Sequence, residues 1–419
     1  MEIMTLSAFH DYLSQFSYEY EKDGTRKTNF ISKYFVNSRH CERYDGIEFE
    51  PDESKANSNM LNEWTGYSVE SVEGEWGLFK SHILDNICSG NDEHFAWLMD
   101  WMAQLVQEPG RKSGSAVALI GGKGTGKSKF VDWLTRLVDP YSVTINQTKH
   151  LVGSFNHHMS GKLLMAVEEG FWAGDKQAAS ALKHLITSDT QMIEQKGKDA
   201  VEMSNYTRLI FTSNEKWVAP VDSDGDSRRY FILKVAEHRK NDASYFAAID
   251  EQMERGGLEA MMFELANRAP SSPRWSNLRL PPKTHALAQQ RLETLTPAQN
   301  ALINALELGR IEGRDSDMNY FLYHLSENEE TTVARSHMAA AFQRNQDLRG
   351  GKGRDFWDGM KMILGEDCLA SSSIIRFHSA SLVDEEDEPD DEMKTTRCVI
   401  PPLSQLRTVL KTEFGYDLQ

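Results

Sequence analysis

The sequence predicts a mixed α/β fold: a central α/β core between a mainly helical N-terminal region and a mainly helical C-terminal domain. Three observations support this prediction. The apolar run Ala116–Ile120 precedes a glycine-rich turn and an apolar-faced helix, which indicates a buried strand opening an α/β core. Apolar residues recur at intervals of three and four across 76–107, which is the helical period. The proline-rich stretch 269–282 indicates a boundary before the last part of the chain.

These patterns divide the chain, which at 419 residues is too long for one ordinary core. The predicted parts are an N-terminal helical region at 1–110, the core at 111–268, a proline-rich connection at 269–289 and a C-terminal domain at 290–419. The last part contains eight acidic residues in 384–392, and this run is expected to be disordered. Near the start, roughly helical spacing favours core packing for Phe9, Tyr12, Leu13, Phe16 and Tyr20.

Composition and charge limit the class of protein. Hydrophobic residues make up 40% of the chain and aromatic residues 10%, as in a soluble globular protein, and no apolar run is long enough for a membrane span. Four widely spaced cysteines without a CxxC pair favour reduced thiols in a cytoplasmic protein over a zinc site. The net charge of −17 excludes a uniformly basic surface, so any nucleic-acid contact must come from a few well-placed cations.

The turn after Ala116–Ile120 has the full phosphate-loop pattern: Gly121, four residues, then Gly126, Lys127 and Ser128. Glycines let backbone N–H groups turn towards a phosphate chain, and the following helix adds its positive end. A lysine here reaches the β- and γ-phosphates, and the serine hydroxyl can bind magnesium. The pattern therefore predicts a nucleoside triphosphate site; the alternative is a tight turn that merely joins strand to helix.

Polar residues follow two later strands. The apolar stretch 162–167 ends in Glu168 and Glu169, and the stretch 206–213 ends in Asn214. Because ligands bind at the carboxyl ends of parallel strands, the first acid is expected to hold magnesium and the second to deprotonate the attacking water. The amide of Asn214 could sense a γ-phosphate or hold that water.

Two cationic pairs complete the candidate residues. Lys196 and Lys198 lie in a turn between two predicted short strands, a position that fits either a solvated turn or a probe for a phosphate backbone. Arg228 and Arg229 precede the strand predicted at 230–235. Paired arginines commonly form surface salt bridges, but a guanidinium at a strand edge can also stabilise transferring phosphate.

Together these segments resemble the superfamily 3 helicase domain found in phage and plasmid primase–helicase proteins. The resemblance covers roughly residues 40–290. Six segments match in family order and a seventh extends the match: 121–128, 167–176, 182–187, 193–198, 211–214, 227–231 and 282–287.

The resemblance implies a P-loop AAA+-like core that binds ATP and Mg²⁺. It implies a Walker B site at Glu168 and Glu169, with Ser128 and Glu168 at the metal, and a polar sensor at Asn214. The common family pattern has Asp then Glu in Walker B, and here Glu168 replaces the Asp. The implied Walker A segment consists of Gly121, Gly122, Lys123, Gly124, Thr125, Gly126, Lys127 and Ser128.

The resemblance also implies an assembly. Lys196 and Lys198 would contact single-stranded DNA in the central channel of a homo-oligomeric, hexameric ring. Arg228, or secondarily Arg229, would be an arginine finger offered to the neighbouring subunit's ATP. The implied activity is ATP-dependent DNA unwinding or translocation in phage or mobile-element replication, in the cytoplasm of a bacterial host.

Two alternatives stay open. A P-loop ATPase that remodels or loads protein partners would share the nucleotide residues but would not need Lys196 and Lys198. A non-hydrolysing scaffold would bind ATP only to fix its oligomer. Many relatives carry a primase–polymerase domain ahead of this module; such a domain or protein is an expected partner, and the chain is expected to be a stand-alone helicase or a piece of a larger protein. A winged-helix-like C-terminal domain is a further expectation.

Overall fold

The computed structural model describes residues 5–147, 149–153, 156–168, 176–194, 200–215, 218, 221, 227–293, 295–342, 351–377, 391–414 and 416. The chain divides into two compact units, Met1–Thr65 and Gly66–Gln419.

The first unit is built from short helices and paired strands. Its elements are α1 (Leu6–Tyr12), β1 (Ser17–Lys22), β2 (Thr25–Phe30), α2 (Ile31–Asn37), β3 (Gly46–Glu48) and β4 (Met60–Asn62). β1 and β2 form an antiparallel hairpin, and β3 pairs with β4 in parallel. Positive φ angles of 55° at Asp23 and 71° at Gly24 suit the two-residue Asp-Gly turn between β1 and β2.

Across residues 1–110, helical residues outnumber strand residues, although β1 to β4 lie in the first unit. One expectation for this region is wrong. The early aromatic residues do not form a core: α1 ends at Tyr12, and Tyr12, Phe16 and Tyr20 are all exposed. Their spacing continues from a helix into a strand, where alternate side chains point to opposite faces, so no common buried face results.

The second unit opens with the helices predicted at 76–107. They are α3 (Gly77–Ser81), a π-helical segment (His82–Ile87) and α4 (Asp92–Gln107). The apolar stripe of α4 is buried, with Trp97, Leu98 and Trp101 at its centre.

A five-stranded parallel sheet follows, in the strand order β11-β5-β10-β7-β6. Four of the strands are almost wholly buried, as expected for parallel strands covered on both faces. The prediction of a mixed α/β fold is therefore confirmed. The elements are β5 (Ala116–Ile120), α5 (Lys127–Leu137), β6 (Ser142–Ile145), α6 (Lys149–Val152), β7 (Leu164–Glu168), α7 (Lys176–Thr187), β8 (Thr190–Ile193), β9 (Val201–Ser204), β10 (Arg208–Ser213) and β11 (Tyr230–Lys234).

Helices and a 3₁₀ segment close the core: α8 (Ala243–Gln252), α9 (Leu258–Asn267), the 3₁₀ segment Pro273–Arg279 and α10 (His285–Glu293). The proline-rich stretch packs on α4. The fully buried Asp100 accepts hydrogen bonds from Arg268 Nε at 2.9 Å and Asn277 Nδ2 at 3.1 Å. The indole nitrogen of Trp97 donates to Asn277 O at 3.1 Å.

The last part of the chain is not mainly helical, contrary to the prediction. It contains α11 (Pro297–Glu307), β12 (Arg310–Arg314), β13 (Tyr320–His324), β14 (Thr331–Ala334), α12 (Arg335–Phe342), α13 (Gly351–Leu364), β15 (Leu369–Phe377), β16 (Asp391–Ile400) and α14 (Leu403–Phe414). β12 pairs with β13, and β14, β16 and β15 form an antiparallel sheet in that order. These elements share one apolar core that includes Phe321, Met338 and Trp357.

The acidic run is divided by this sheet. Its last two acids, Asp391 and Glu392, pair with Phe377 and Arg376 in β15, so disorder is the wrong expectation for them. The rest of the run lies outside the described residues. Within the described part of the chain, every helix is too short or too polar to cross a membrane.

Candidate functional site

The predicted phosphate loop connects β5 to α5 in a conformation that requires glycine at two positions. The φ angles are 76° at Gly124 and 93° at Gly126. A Cβ atom at Gly124 would lie 2.0 Å from Asn241 Oδ1, and one at Gly126 would lie 2.5 Å from His82 Cε1. Backbone strain and contact with neighbouring side chains therefore both exclude larger residues.

Lys127 begins α5, and its side chain turns back into the loop, where the residue is only 6% exposed. Its Nζ donates to Gly121 O at 2.6 Å, Gly122 O at 2.8 Å and Asn214 Oδ1 at 3.0 Å. The structure thus brings together two residues that the sequence singled out separately. The ammonium group lies at the mouth of a glycine-lined loop, beside a neutral amide.

The sheet register explains why these groups meet. β10 lies between β5 and β7, with Ser213 opposite Ile120 and Thr212 opposite Glu168. The ends of all three strands therefore reach one edge of the sheet, called here the loop edge, which carries the loop, Glu168 and Asn214. Glu169 lies outside the described residues.

The oxygen ligands at the loop edge suit magnesium. Glu168 is half-buried at the end of β7, and Ser128 is exposed in the first turn of α5. Among the described residues, no group of three or more His, Cys, Asp or Glu side chains could hold a metal ion. A hydroxyl and a carboxylate nevertheless fit Mg²⁺, which is commonly held by one or two protein ligands together with substrate phosphates and water.

Three residues that sequence reasoning missed support the loop from outside. Asn86 Nδ2 donates to Thr125 O at 2.8 Å, and the backbone N–H of Asn241 donates to Gly124 O at 2.9 Å. His82 Nε2 lies 3.2 Å from Gly126 O. Burial lowers the pKa of His82 to about 4, so its ring is neutral near pH 7.

The positions of His82 and Asn86 could not be inferred from the hydrophobic pattern. Both residues belong to the π-helical segment, and π-helical turns are commonly found at functional sites. The pattern in 76–107 marks only the apolar residues that surround them.

Arg228 and Arg229 lie at the opposite edge of the sheet. They occupy a 3₁₀ turn directly before β11, whose first residue Tyr230 is in register with Ala116, the first residue of β5. A groove of about 970 Å³ opens at this edge. Its cationic lining residues are Arg111, Lys112, Arg228, Arg229 and Arg279. This concavity is called here the arginine groove.

The arginines dominate the charge of the arginine groove. Asp189 is the acidic residue among those that line it. Lys112 Nζ donates to Ser188 O at 2.9 Å, and burial lowers the pKa of Lys112 to about 7. Lys112 is therefore a structural hydrogen-bond donor that is only partly protonated near pH 7, whereas the guanidinium groups stay protonated at that pH.

The buried Arg208, the first residue of β10, fixes the wall of the groove. Its guanidinium donates to Glu108 O at 3.1 Å and to Arg111 O, which holds the segment before β5 against the start of β10. Burial lowers the pKa of Arg208 to about 10, so the group stays charged near pH 7.

The two-stranded hairpin predicted around the turn 196–199 is present as β8 and β9, with Ile193 opposite Val201. Its base adjoins the arginine groove, since Thr190 and Ser204 line that groove. The turn that carries Lys196 and Lys198 lies outside the described residues.

Part of this chain is similar to a phage DNA primase-polymerase. A model of a family of unknown function (DUF5906) matches residues 119–229, from the end of β5 to the turn before β11. The DNA primase-polymerase of Nitratiruptor phage NrS-1 is 27% identical over 156 residues. That alignment covers 36% of this chain and 21% of the relative, so the chain spans about a fifth of the relative's length.

Solved structures of the C-terminal region of NrS-1 share the fold. The apo structure of that region has a TM-score of 0.53 and 17% identity, covering 72% of this chain and 77% of that one. An A-form apo structure of the same region has a TM-score of 0.53 and 18% identity, covering 70% of this chain and 72% of that one. The chain is therefore similar to this region in its α/β architecture.

Proposed function

We propose that this chain is an ATP-dependent DNA translocase of the superfamily 3 helicase type, which hydrolyses ATP between the subunits of a hexameric ring. The observation that carries the proposal is the 3.0 Å contact between Lys127 Nζ and Asn214 Oδ1 in a loop where Gly124 and Gly126 have positive φ angles and no room for a Cβ atom. A connecting turn would have no need to hold an ammonium group and an amide together. A phosphate-binding site requires such groups.

At the loop edge, ATP is the proposed ligand. Backbone N–H groups of the loop and the N-terminus of α5 would bind the β- and γ-phosphates. Lys127 would exchange its two carbonyl partners for phosphate oxygens, and Asn214 would stay within reach of the γ-phosphate or the attacking water. Glu169 is proposed as the base that takes the proton of that water.

Mg²⁺ is the second proposed cofactor. Ser128 and Glu168 would hold it, and when bound it neutralises the charge that develops on the phosphates. The longer carboxylate of Glu168, where the family pattern has Asp, can still supply an oxygen ligand.

The position of the arginine groove is an argument that the chain acts as an oligomer. Arg228 and Arg229 lie at the edge opposite their own phosphate loop, so the triphosphate they could stabilise belongs to another copy of the chain. The strand order β11-β5-β10-β7-β6, with β10 between the phosphate-loop strand and the Glu168 strand, supports an AAA+-like core. The sheet β14-β16-β15 with α11, α12 and α13 supports a winged-helix-like C-terminal domain.

Single-stranded DNA is the proposed substrate, with Lys196 and Lys198 as phosphate contacts in the channel of the ring. The similarity to a phage DNA primase-polymerase supports a role in phage replication, beside a primase–polymerase domain or protein in the bacterial cytoplasm.

The test is phosphate release by Lys127→Ala and Glu169→Gln, with and without single-stranded DNA. Lys127→Ala should lose both tight nucleotide binding and hydrolysis, whereas Glu169→Gln should bind ATP and lose only turnover. Equal hydrolysis by the parent chain and Glu169→Gln would remove the proposed base. Hydrolysis that single-stranded DNA does not raise would favour a protein-remodelling ATPase, and the absence of any hydrolysis would favour a scaffold.

A further inference from the structure

The β1–β2 hairpin of the first unit separates its side chains by charge. Directly opposite residues share a face, and successive residues of a strand alternate between faces. One face, called here the tyrosine face, therefore consists of Tyr18, Tyr20, Lys22, Thr25, Lys27 and Asn29. The opposite face consists of Ser17, Glu19, Glu21, Arg26, Thr28 and Phe30.

The tyrosine face is open to solvent. Tyr20 is 37% exposed, Lys22 and Lys27 are exposed, and Tyr18 is half-buried. The Tyr18 and Tyr20 ring centroids lie 5.8 Å apart. Tyr34 of α2, which is 63% exposed, extends this aromatic surface through an edge contact with Tyr18, at 5.5 Å between centroids.

We propose that the tyrosine face binds single-stranded nucleic acid. Aromatic rings on which bases stack, next to cations that contact the backbone, are the two components of sequence-independent single-strand binding. Both strand lysines of the hairpin lie on this face, and both strand glutamates lie on the other. The chain as a whole has a net charge of −17, which repels nucleic acid. Because the lysines and glutamates of the hairpin lie on opposite faces, the tyrosine face is locally positive and can attract the phosphate backbone.

The chemistry favours a nucleic acid over a protein partner. Lysine is depleted in protein–protein interfaces, whereas tyrosine is common in both kinds of interface. It also favours a single strand over a duplex, because the bases of a duplex are stacked on each other and their faces are not available to a ring. The proposal concerns a different unit from the ATP site and does not rest on the function proposed for that site.

The experiment measures binding of a fluorescein-labelled oligothymidylate to the full chain by anisotropy, without nucleotide, over a series of salt concentrations. Tyr20→Ala should weaken binding about five- to 150-fold, since loss of a stacking ring costs about 1–3 kcal/mol per base. Tyr20→Phe should retain the affinity, because the ring is kept. Lys27→Ala should lower the salt slope by about 0.7.

Arg26→Ala is the matched control, because it removes an exposed cation from the opposite face of the same hairpin, where Arg26 Nη1 lies 3.9 Å from Glu19 Oε2. It should leave affinity and salt slope unchanged, and basal ATP hydrolysis should be unchanged in all four variants. Thermal melts identify any variant that fails to fold; in that case Lys27→Glu, an exposed substitution, provides the test through weakened binding.

The proposal is overturned if Tyr20→Ala and Lys27→Ala bind the oligonucleotide as Arg26→Ala does. It is also overturned if these two variants change only the oligomeric state in light scattering, which would identify the tyrosine face as a protein contact. Loss of single-strand binding in a variant with an unchanged thermal melt supports the tyrosine face whatever the outcome for the proposed motor.

Discussion

The two edges of the parallel sheet present charge in opposite ways. At the loop edge, Lys127 is buried and bonded to groups of its own chain, and Gly124 and Gly126 leave no room for a Cβ atom. At the other edge, the arginine groove is wide, and Arg228 and Arg279 on its walls are exposed. The first arrangement suits a phosphate chain bound by the loop of the same chain, and the second suits an anion carried by another molecule.

The largest effect is expected for the arginine groove. Arg228→Ala should lower ATP hydrolysis by about three to five orders of magnitude, because an arginine finger stabilises the charge of the transferring phosphoryl group. Nucleotide binding by each subunit should persist. Phosphate release and binding of a fluorescent ATP analogue measure the two properties, and mixing with Lys127→Ala should restore part of the activity.

A matched control is Arg255→Ala, since Arg255 is an exposed arginine whose Nη1 lies 2.7 Å from Glu251 Oε1 and which does not line the arginine groove. It should hydrolyse ATP like the parent chain. If Arg228→Ala and Lys127→Ala co-assemble and every mixture stays inactive, Arg228 does not act on a neighbouring subunit.

At the loop edge, Asn214→Ala should lower hydrolysis about a hundredfold with little change in nucleotide affinity. A positioned polar donor at a reacting group contributes about this much, and the amide now beside Lys127 would be lost. Steady-state phosphate release separates the turnover number from KM. The control Asn267→Ala removes an exposed amide that bonds Phe263 O at 2.8 Å. Equal turnover of the two variants would contradict the role of Asn214.

Because His82 is buried beside the phosphate loop, we expect the free energy of unfolding to depend on pH. Burial lowers the pKa of His82 from 6.5 to about 4, so the folded state favours the neutral ring. The stabilisation is complete above pH 6.5 and is lost as the pH falls towards 4, by up to about 3 kcal/mol in the free energy of unfolding. Denaturant titrations should show that the free energy of unfolding depends less on pH in His82→Gln than in the parent chain. If the two proteins have the same pH dependence, His82 is not its cause.

The smallest effect is expected at the hairpin beside the arginine groove. Replacing both Lys196 and Lys198 with Ala should lower the salt slope of single-strand binding by up to about 0.7 for each lysine engaged. Basal ATP hydrolysis should remain, because neither lysine belongs to the proposed nucleotide site. Lys55→Ala is the control, as Lys55 is an exposed lysine paired with Asp52 at 2.9 Å. If the salt slope of single-strand binding is unchanged in the double variant, the turn is only a solvated turn and does not contact DNA.

The sequence predicted those parts of the fold in which local pattern and burial agree. The strand Ala116–Ile120 coincides with β5, because a short apolar run before a glycine-rich turn has few other solutions. The contact between Lys127 and Asn214 could not be predicted, since strand order decides which strand ends are neighbours. Within β15 the polar run Ser371–Ser373 interrupts the apolar residues, so pairing with β16 rather than local preference explains why the strand extends across it.

β10 has a consequence for how the two edges communicate. It begins at Arg208, which holds the wall of the arginine groove, and ends next to Asn214, which holds Lys127, so six residues, about 20 Å of extended chain, join the edges. Linkage is reciprocal: if an anion in the groove shifts this strand and changes nucleotide affinity by some factor, nucleotide changes affinity for that anion by the same factor. Occupancy of one site would then report the state of the other, and a ring of such chains could pass that information from subunit to subunit.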